Sequence, residues 1–393
     1  MYYYNYLPSY RTHGTMFFNG RNSPDQPIYS GLYDFPLGSV TALSRIPGSM
    51  EIWWVGKNGS IQNASQYKGG RWTRQEIAPS ESASIHGSIT AVSRFPGNME
   101  IWWIGKDGSI QNASWHGGGQ WTRQEIAPAG SASNQGAITA VSRTPGSMEI
   151  WWIGSGPGVH STIHYASWYE GGRWTQQEIG PVDSASPTAG IKAVSRIPGN
   201  IEIWWIGPRG SIQNAYWYEG GQWNFWEFAP DLSASNSGRS ITAVSRIPGS
   251  IEIWWIGWDD SIQNASWHGG GQWTRQEIAP AGSAFRSGSI TAVSRFPGNM
   301  EIWWIGKDGS IQNASWHEGR QWIRQEIAPA GSASYNGSIT AVSRIPGSLE
   351  IWWIGKDGSI QNASWHEGGQ WIRQEIAPAG SAPCTLNWEQ YCP

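Results

Sequence analysis

SITAVSRFPGNMEIWWIGKDGSIQNASWHGGGQWTRQEIAPAGSAS, residues 88–133, is one unit of a pattern that fills most of the chain. Its Trp pair, Trp102 with Trp103, has counterparts beginning at Trp53, Trp151, Trp204, Trp254, Trp303 and Trp352, at spacings of 49, 49, 53, 50, 49 and 49 residues. Self-similarity at such a period marks an architecture of stacked or ringed units. Within the unit, SITAV, MEIWWI, SIQNASWH and WTRQEIA are short runs rich in Ile, Val, Trp and Thr, separated by Pro-Gly, Asp-Gly and Gly-Gly. They read as four strands joined by turns, because those dipeptides supply the backbone angles that hairpins need. A four-stranded sheet that is apolar on both faces cannot bury them alone, so the copies must pack face to face around an axis. A linear stack would need polar capping copies, and the first and last copies here are as rich in Trp as the middle ones. The expected fold class is therefore all-β: a seven-bladed β-propeller over residues 37–382, each blade a four-stranded antiparallel meander.

Outside the repeat lie an N-terminal extension, residues 1–36, and a tail, residues 383–393. The Tyr-rich start and the stretch THGTMFFNG are expected to form an extra strand or a cover over one end of the channel. The only cysteines, Cys384 and Cys392, sit in the tail; a local disulfide and a pair of free thiols are both open readings, and with them the compartment. The third copy carries a four-residue insertion around SGPGVHST, between its second and third strands, expected to stand proud of the ring. Charged residues make up 14% of the chain and the net charge is −3, which leaves no basic field for a phosphate backbone and argues against nucleic acid as a partner. No run is long and apolar enough to span a bilayer, and the start has neither the basic nor the apolar segment of a signal peptide. A soluble protein, secreted or released, without membrane insertion, is the expectation.

The seven copies serve as controls for one another. Both members of the Trp pair, and the later Trp72, Trp121, Trp174, Trp223, Trp273, Trp322 and Trp371, never change, as aromatic plates wedged between blades would not. Arg45 and Glu51 recur together through Arg94 with Glu100 to Arg344 with Glu350, which a cross-strand ion pair across the first hairpin explains. Glu76 and its counterparts at 125, 178, 227, 277, 326 and 375 are equally constant, as a structural carboxylate or as an acceptor for a sugar hydroxyl. One aromatic position behaves otherwise: Trp115, Trp168, Trp217, Trp267, Trp316 and Trp365 end the third strand, but the first copy has Gln66. A position that tolerates Gln is expected to be partly exposed, beside a variable His or Tyr. The candidate binding residues are thus Trp115, His116, Trp121 and Glu125 in the second copy, Trp316, His317, Trp322 and Glu326 in the sixth, and Trp365, His366, Trp371 and Glu375 in the seventh. No catalytic constellation, metal-ligand spacing or cofactor motif emerges, since the His recurs in only some copies and the Gly residues punctuate hairpins.

The strings AVSRIPGSMEIWWIG, DGSIQNASWHEGGQW and APAGSAS resemble the seven-bladed propeller lectins of the Photorhabdus type over about residues 37–382. The resemblance implies sugar sites between neighbouring blades, a preference that includes fucose and related or methylated sugars, and no metal or cofactor. More distantly, the unit is similar to the six-bladed Aleuria-type fucose lectins, which place an Arg on the second strand and a carboxylate on the third. This sequence has Glu100 and Asn112 there and so departs from the Aleuria mode. Unequal sites are expected, because the first copy lacks the third-strand Trp, the third has His164 and Tyr165 in place of Gln-Asn, and the fifth has Trp258, Asp259 and Asp260 in place of Lys-Asp-Gly. The function expected is a multivalent carbohydrate-binding lectin without catalysis, its partners glycans or glycoconjugates on cell surfaces, with the Tyr-rich start and the tail as contacts for a homo-oligomer. The alternative is a protein-interaction platform, and a propeller glycosidase ranks third.

Overall fold

The computed structural model describes residues 36–155 and 161–384. Nearly all of the N-terminal extension, the tip of the third-copy insertion and the tail with Cys392 lie outside the described residues. Cys384 is buried and is not a free thiol.

Seven four-stranded antiparallel sheets follow one another, each with its strands in chain order. In the second blade the strands are Ile89–Val92, Met99–Ile104, Ile110–Trp115 and Thr122–Ala127. First strands of successive blades pack against one another around the axis. Burial falls outward, from a second strand buried along its whole length to a fourth strand exposed over its first four residues. The Asp-Gly turn shows why Gly recurs: Gly108 has φ +77°, and a Cβ there would come within 2.8 Å of the Ala132 carbonyl oxygen. The fifth blade puts Asp260 at the matching place with φ +65°, a left-handed angle that Asp tolerates better than most residues, and its carboxylate meets Arg286 Nε at 3.0 Å.

The Trp pair explains how sheets become a ring. Adjacent residues of a strand point to opposite faces, so each pair sends one indole to each neighbouring blade. The core between the first and second blades accordingly contains the first Trp of one, Trp53, and the second Trp of the next, Trp103, with Ile61, Ile77, Ile89 and Ile101 around them. Six further cores repeat this arrangement, one at every junction. The second indole also reaches the loop that enters its own blade: Trp103 Nε1 donates to the Ser82 carbonyl at 3.0 Å and Trp304 Nε1 to Ser283 at 3.1 Å. The first indole is fully buried, and its N–H has no hydrogen-bond partner in any of the seven blades.

The junction between the last and first blades is built like the rest. Trp352, Ile354 and Ile360 pack against Val40, Met50, Ile52 and Trp54. Val40 N donates to Ser338 Oγ at 2.8 Å, as Ile138 N does to Ser88 Oγ at 2.6 Å inside the ring. Among the described residues no blade borrows a strand from the other end of the chain, so packing, with hydrogen bonds such as these, closes the circle. Trp102→Ala and Trp352→Ala should therefore each cost about 3–5 kcal/mol in chemical denaturation. A much smaller loss for Trp352→Ala would show that the closing junction does not carry its share.

Candidate functional site

Toward the Pro-Gly end of each blade, the junction is finished by an ion pair from one blade and two indoles from the next. Arg45 leaves the first hairpin and meets Glu51 at 3.4 Å; the pair recurs at Arg94–Glu100 (3.2 Å), Arg246–Glu252 (2.9 Å), Arg295–Glu301 (3.2 Å), and in the remaining blades. The carboxylate is buried on the face that carries the first Trp, since Glu51 and Trp53 lie two apart in one strand. Each guanidinium then lies over the third-strand Trp of the following blade: Arg45 over Trp115 at 4.8 Å, Arg94 over Trp168 at 4.5 Å, Arg246 over Trp316 at 5.1 Å and Arg295 over Trp365 at 4.6 Å. Where the first blade has Gln66 instead, Arg344 Nη1 donates to its Oε1 at 3.4 Å, so the Arg keeps a cross-blade partner. The later Trp completes the wall, its ring edge-to-face with the first Trp of the preceding blade at 6.1 Å for Trp53–Trp121 and 6.3 Å for both Trp254–Trp322 and Trp303–Trp371.

The predicted residues divide between places. Trp115 with Trp121, Trp316 with Trp322 and Trp365 with Trp371 come together, half-buried, each pair facing the preceding blade. His317 and His366 do not join them, because each is the next residue along its strand and points to the opposite face, and His116 follows Trp115 just beyond the end of that strand. Where a contact fixes this position it lies by its own blade's Arg–Glu pair: His268 Nε2 is 3.9 Å from Glu252, Tyr169 accepts a hydrogen bond from Arg143, and His317 feels the charge of Arg295. Glu125, Glu326 and Glu375 are exposed, share the face of Trp115 and its counterparts, and lie toward the other end of the strand pair. Glu125 accepts from Gln111 Nε2 at 3.1 Å, Glu326 from Gln312 at 3.3 Å and Glu375 from Gln361 at 3.4 Å.

Glu125 and Glu326 line a second kind of cleft, by the Asp-Gly turn. In the second blade it has a volume of 760 Å³ and is bordered by Trp103, Lys106, Asp107 and Ser109; in the sixth it has 530 Å³ and the corresponding residues. The period-two rule applied to Trp316 and His317 would have separated them in advance. The residue that sequence reasoning missed is the Arg as a cross-blade partner of Trp, although the invariance of Arg45 and its counterparts was its signal.

Electrostatically, the buried Glu sets the junction apart. Burial raises all seven carboxyls above the ordinary glutamate value and the Arg opposes it, leaving Glu100 and Glu301 at about 7 and Glu252 at about 6. In the third and fifth blades one oxygen, Glu149 Oε2 or Glu252 Oε2, is buried without a partner, which favours the protonated form further. His268 and His317 shift the other way, depressed first by burial and then by the neighbouring Arg. Among the described residues no group of three His, Cys, Asp or Glu side chains is placed to hold a metal ion.

The ring of seven four-stranded blades can be compared with solved structures. The BP39L lectin from Burkholderia pseudomallei superimposes with a TM-score of 0.80 at 18% identity, covering 88% of this chain and all of that one. The chain shares that protein's fold. The six-bladed lectin of Aleuria aurantia, described with a novel fucose recognition mode, matches with a TM-score of 0.55 at 18% identity over 74% of this chain and 96% of its own. AofleA from Arthrobotrys oligospora gives 0.54 at 15% identity over 76% and 88%. No family model matches the sequence, and no curated protein does.

The raised carboxyls make stability pH-dependent with a definite sign. Between the unfolded value near 4.5 and the folded values near 6 to 7, the folded protein holds protons that the unfolded chain has released. Their contribution is therefore complete below about pH 4.5 and is lost as pH rises through 7, with the depressed His residues opposing it over a narrower range below their ordinary value of 6.5. The thermal midpoint should fall between pH 5 and pH 8, and Glu100→Gln combined with Glu301→Gln should flatten that fall. A midpoint that climbs across the window would contradict the assignment.

Proposed function

We propose that the protein is a multivalent carbohydrate-binding lectin that takes fucose or a related sugar in the clefts between blades and catalyses no reaction. The observation that carries this reading is the junction itself, where two Trp rings from one blade meet a guanidinium, a carboxylate and a His or Tyr from its neighbour. A pyranose has an apolar C–H face for an indole and a ring of hydroxyls for fixed donors and acceptors, the mixture that such small-molecule sites supply. One face of the Trp316 ring is already taken by Arg246, so the stacking surface offered is chiefly that of the Trp322 type. The fold shared with the fucose-specific lectin of Aleuria aurantia supports the same sugar class.

Binding without turnover follows from the sameness of the clefts. A glycosidase needs two carboxyl groups with unequal roles flanking one bond, whereas each buried Glu here is tied to an Arg in the same way in every blade. Repetition of weak sites on one rigid body raises avidity for a glycan-coated surface by on the order of 10²–10⁴-fold without new contacts.

Titration calorimetry with methyl α-L-fucoside is the test, with saturable binding at several sites per chain expected. Arg246→Lys keeps the charge beside Glu252 but loses the planar fork that lies over Trp316, and should remove one site from the stoichiometry. Absence of heat with fucoside and with a broad set of monosaccharides would favour the protein-interaction platform instead.

A further inference from the structure

The junction between the fourth and fifth blades has an aromatic lining of its own. Where six blades have Ser114 or its equivalent Ser, the fourth has Tyr216; where six have Gln124 or its equivalent Gln, it has Trp226; and Asn224 replaces the Thr or Ile found elsewhere. Tyr216 and Asn224 are cross-strand partners, the position occupied in the second blade by the hydroxyl pair Ser114 and Thr122 at 2.8 Å. Trp226 Nε1 donates to Asn214 Oδ1, just as Gln124 Nε2 donates to Asn112 Oδ1 in the second blade. The exchange therefore keeps the structural hydrogen bond while adding an indole. These side chains share the face toward the fifth blade, and the cleft there has a volume of 590 Å³, with Tyr216, Tyr218 and Trp226 on one side and Trp267 and Trp273 on the other.

The aromatic rings of the fourth blade are not filling a core. Trp226 is 40% exposed and Tyr218 is 41% exposed, whereas the core indole of the same blade, Trp204, is fully buried. Phe228, which replaces the Ile of other blades, supports the wall from beneath, 5.5 Å from Trp226 and 4.9 Å from Trp273. The polar end is retained: Arg196 is paired with Glu202, donates to Tyr218 Oη and lies 4.8 Å over Trp267. The result is a slot with an aromatic wall on each side and a charged, hydrogen-bonding end.

We propose that the cleft between the fourth and fifth blades is a distinct site for a saccharide that carries an apolar aglycone, such as an aryl glycoside, and that it binds this class more tightly than the other junctions do. The inference rests on the lectin reading above. The sugar hydroxyls face Arg196, Tyr218 and Asn224, and the aglycone lies between Trp226 with Tyr216 and Trp273. An aryl ring against such walls gains affinity beyond simple burial, roughly tenfold for one good aromatic contact. The Ser, Gln and Thr or Ile at the corresponding positions of the other blades give no such second wall.

Calorimetry with methyl α-L-fucoside and with p-nitrophenyl α-L-fucoside separates the cases. The expected result is that the nitrophenyl glycoside shows one site per chain about tenfold tighter than its remaining sites, which match those for the methyl glycoside. A triple variant carrying the residues of the second blade, Tyr216→Ser, Asn224→Thr and Trp226→Gln, should lose that class alone. The reverse graft, Ser114→Tyr, Thr122→Asn and Gln124→Trp, should add a second tight site, which guards against misreading a folding defect. If methyl fucoside binds but both glycosides give one indistinguishable class, or if the tight class survives the triple variant, this inference falls and the lectin reading stands. If neither glycoside binds, both fall.

Discussion

Everything in this ring depends on two adjacent Trp residues in a fully buried strand. A strand sends consecutive side chains to opposite faces, so the dipeptide is the shortest sequence able to anchor a sheet to both neighbours at once. The cost is seven buried indole N–H groups without partners, a penalty that burial of so large an apolar surface offsets. Because each blade is complete in chain order, the closing junction, among the described residues, is held by this packing and a few hydrogen bonds.

The same constraint creates the candidate sites. A buried Glu two residues before the first Trp must be neutralised, and the Arg that does so extends to the blade edge, where the next blade presents its third-strand Trp. Junction and candidate site are therefore one construction, and the Arg–Glu pair recurs wherever two blades meet. The seven are not equal, however. Gln66 alters the closing junction, Tyr165 stacks on Trp151 at 5.2 Å and fills space that Asn occupies elsewhere, and the fourth blade adds its aromatic wall. A ligand would thus meet a ring whose junctions share a skeleton and differ in lining.

The fold was legible in the residues because periodicity, turn dipeptides and the Trp pair all state the same thing, and four strands per copy follow from them. The Arg–Glu pair was legible as well, from the way Arg45 and Glu51 recur together. The composition of the site was less so. Trp316 and His317 are neighbours in the chain, and that adjacency hid the fact that they serve different junctions; Glu326 looked like part of the same cluster although it borders the cleft by the Asp-Gly turn. The stacking of Arg45 on Trp115 joins residues 70 positions apart across two blades, a contact that a period within one copy cannot reveal.

The most direct test of the account is a crystal structure of the protein soaked with methyl α-L-fucoside. The account predicts sugar density at several junctions, between the Arg–Glu pair of one blade and the two Trp rings of the next, with its apolar face on the Trp322 type of ring. Density confined to the clefts by the Asp-Gly turns, beside Gln111 and Glu125, or to the central channel, would contradict it.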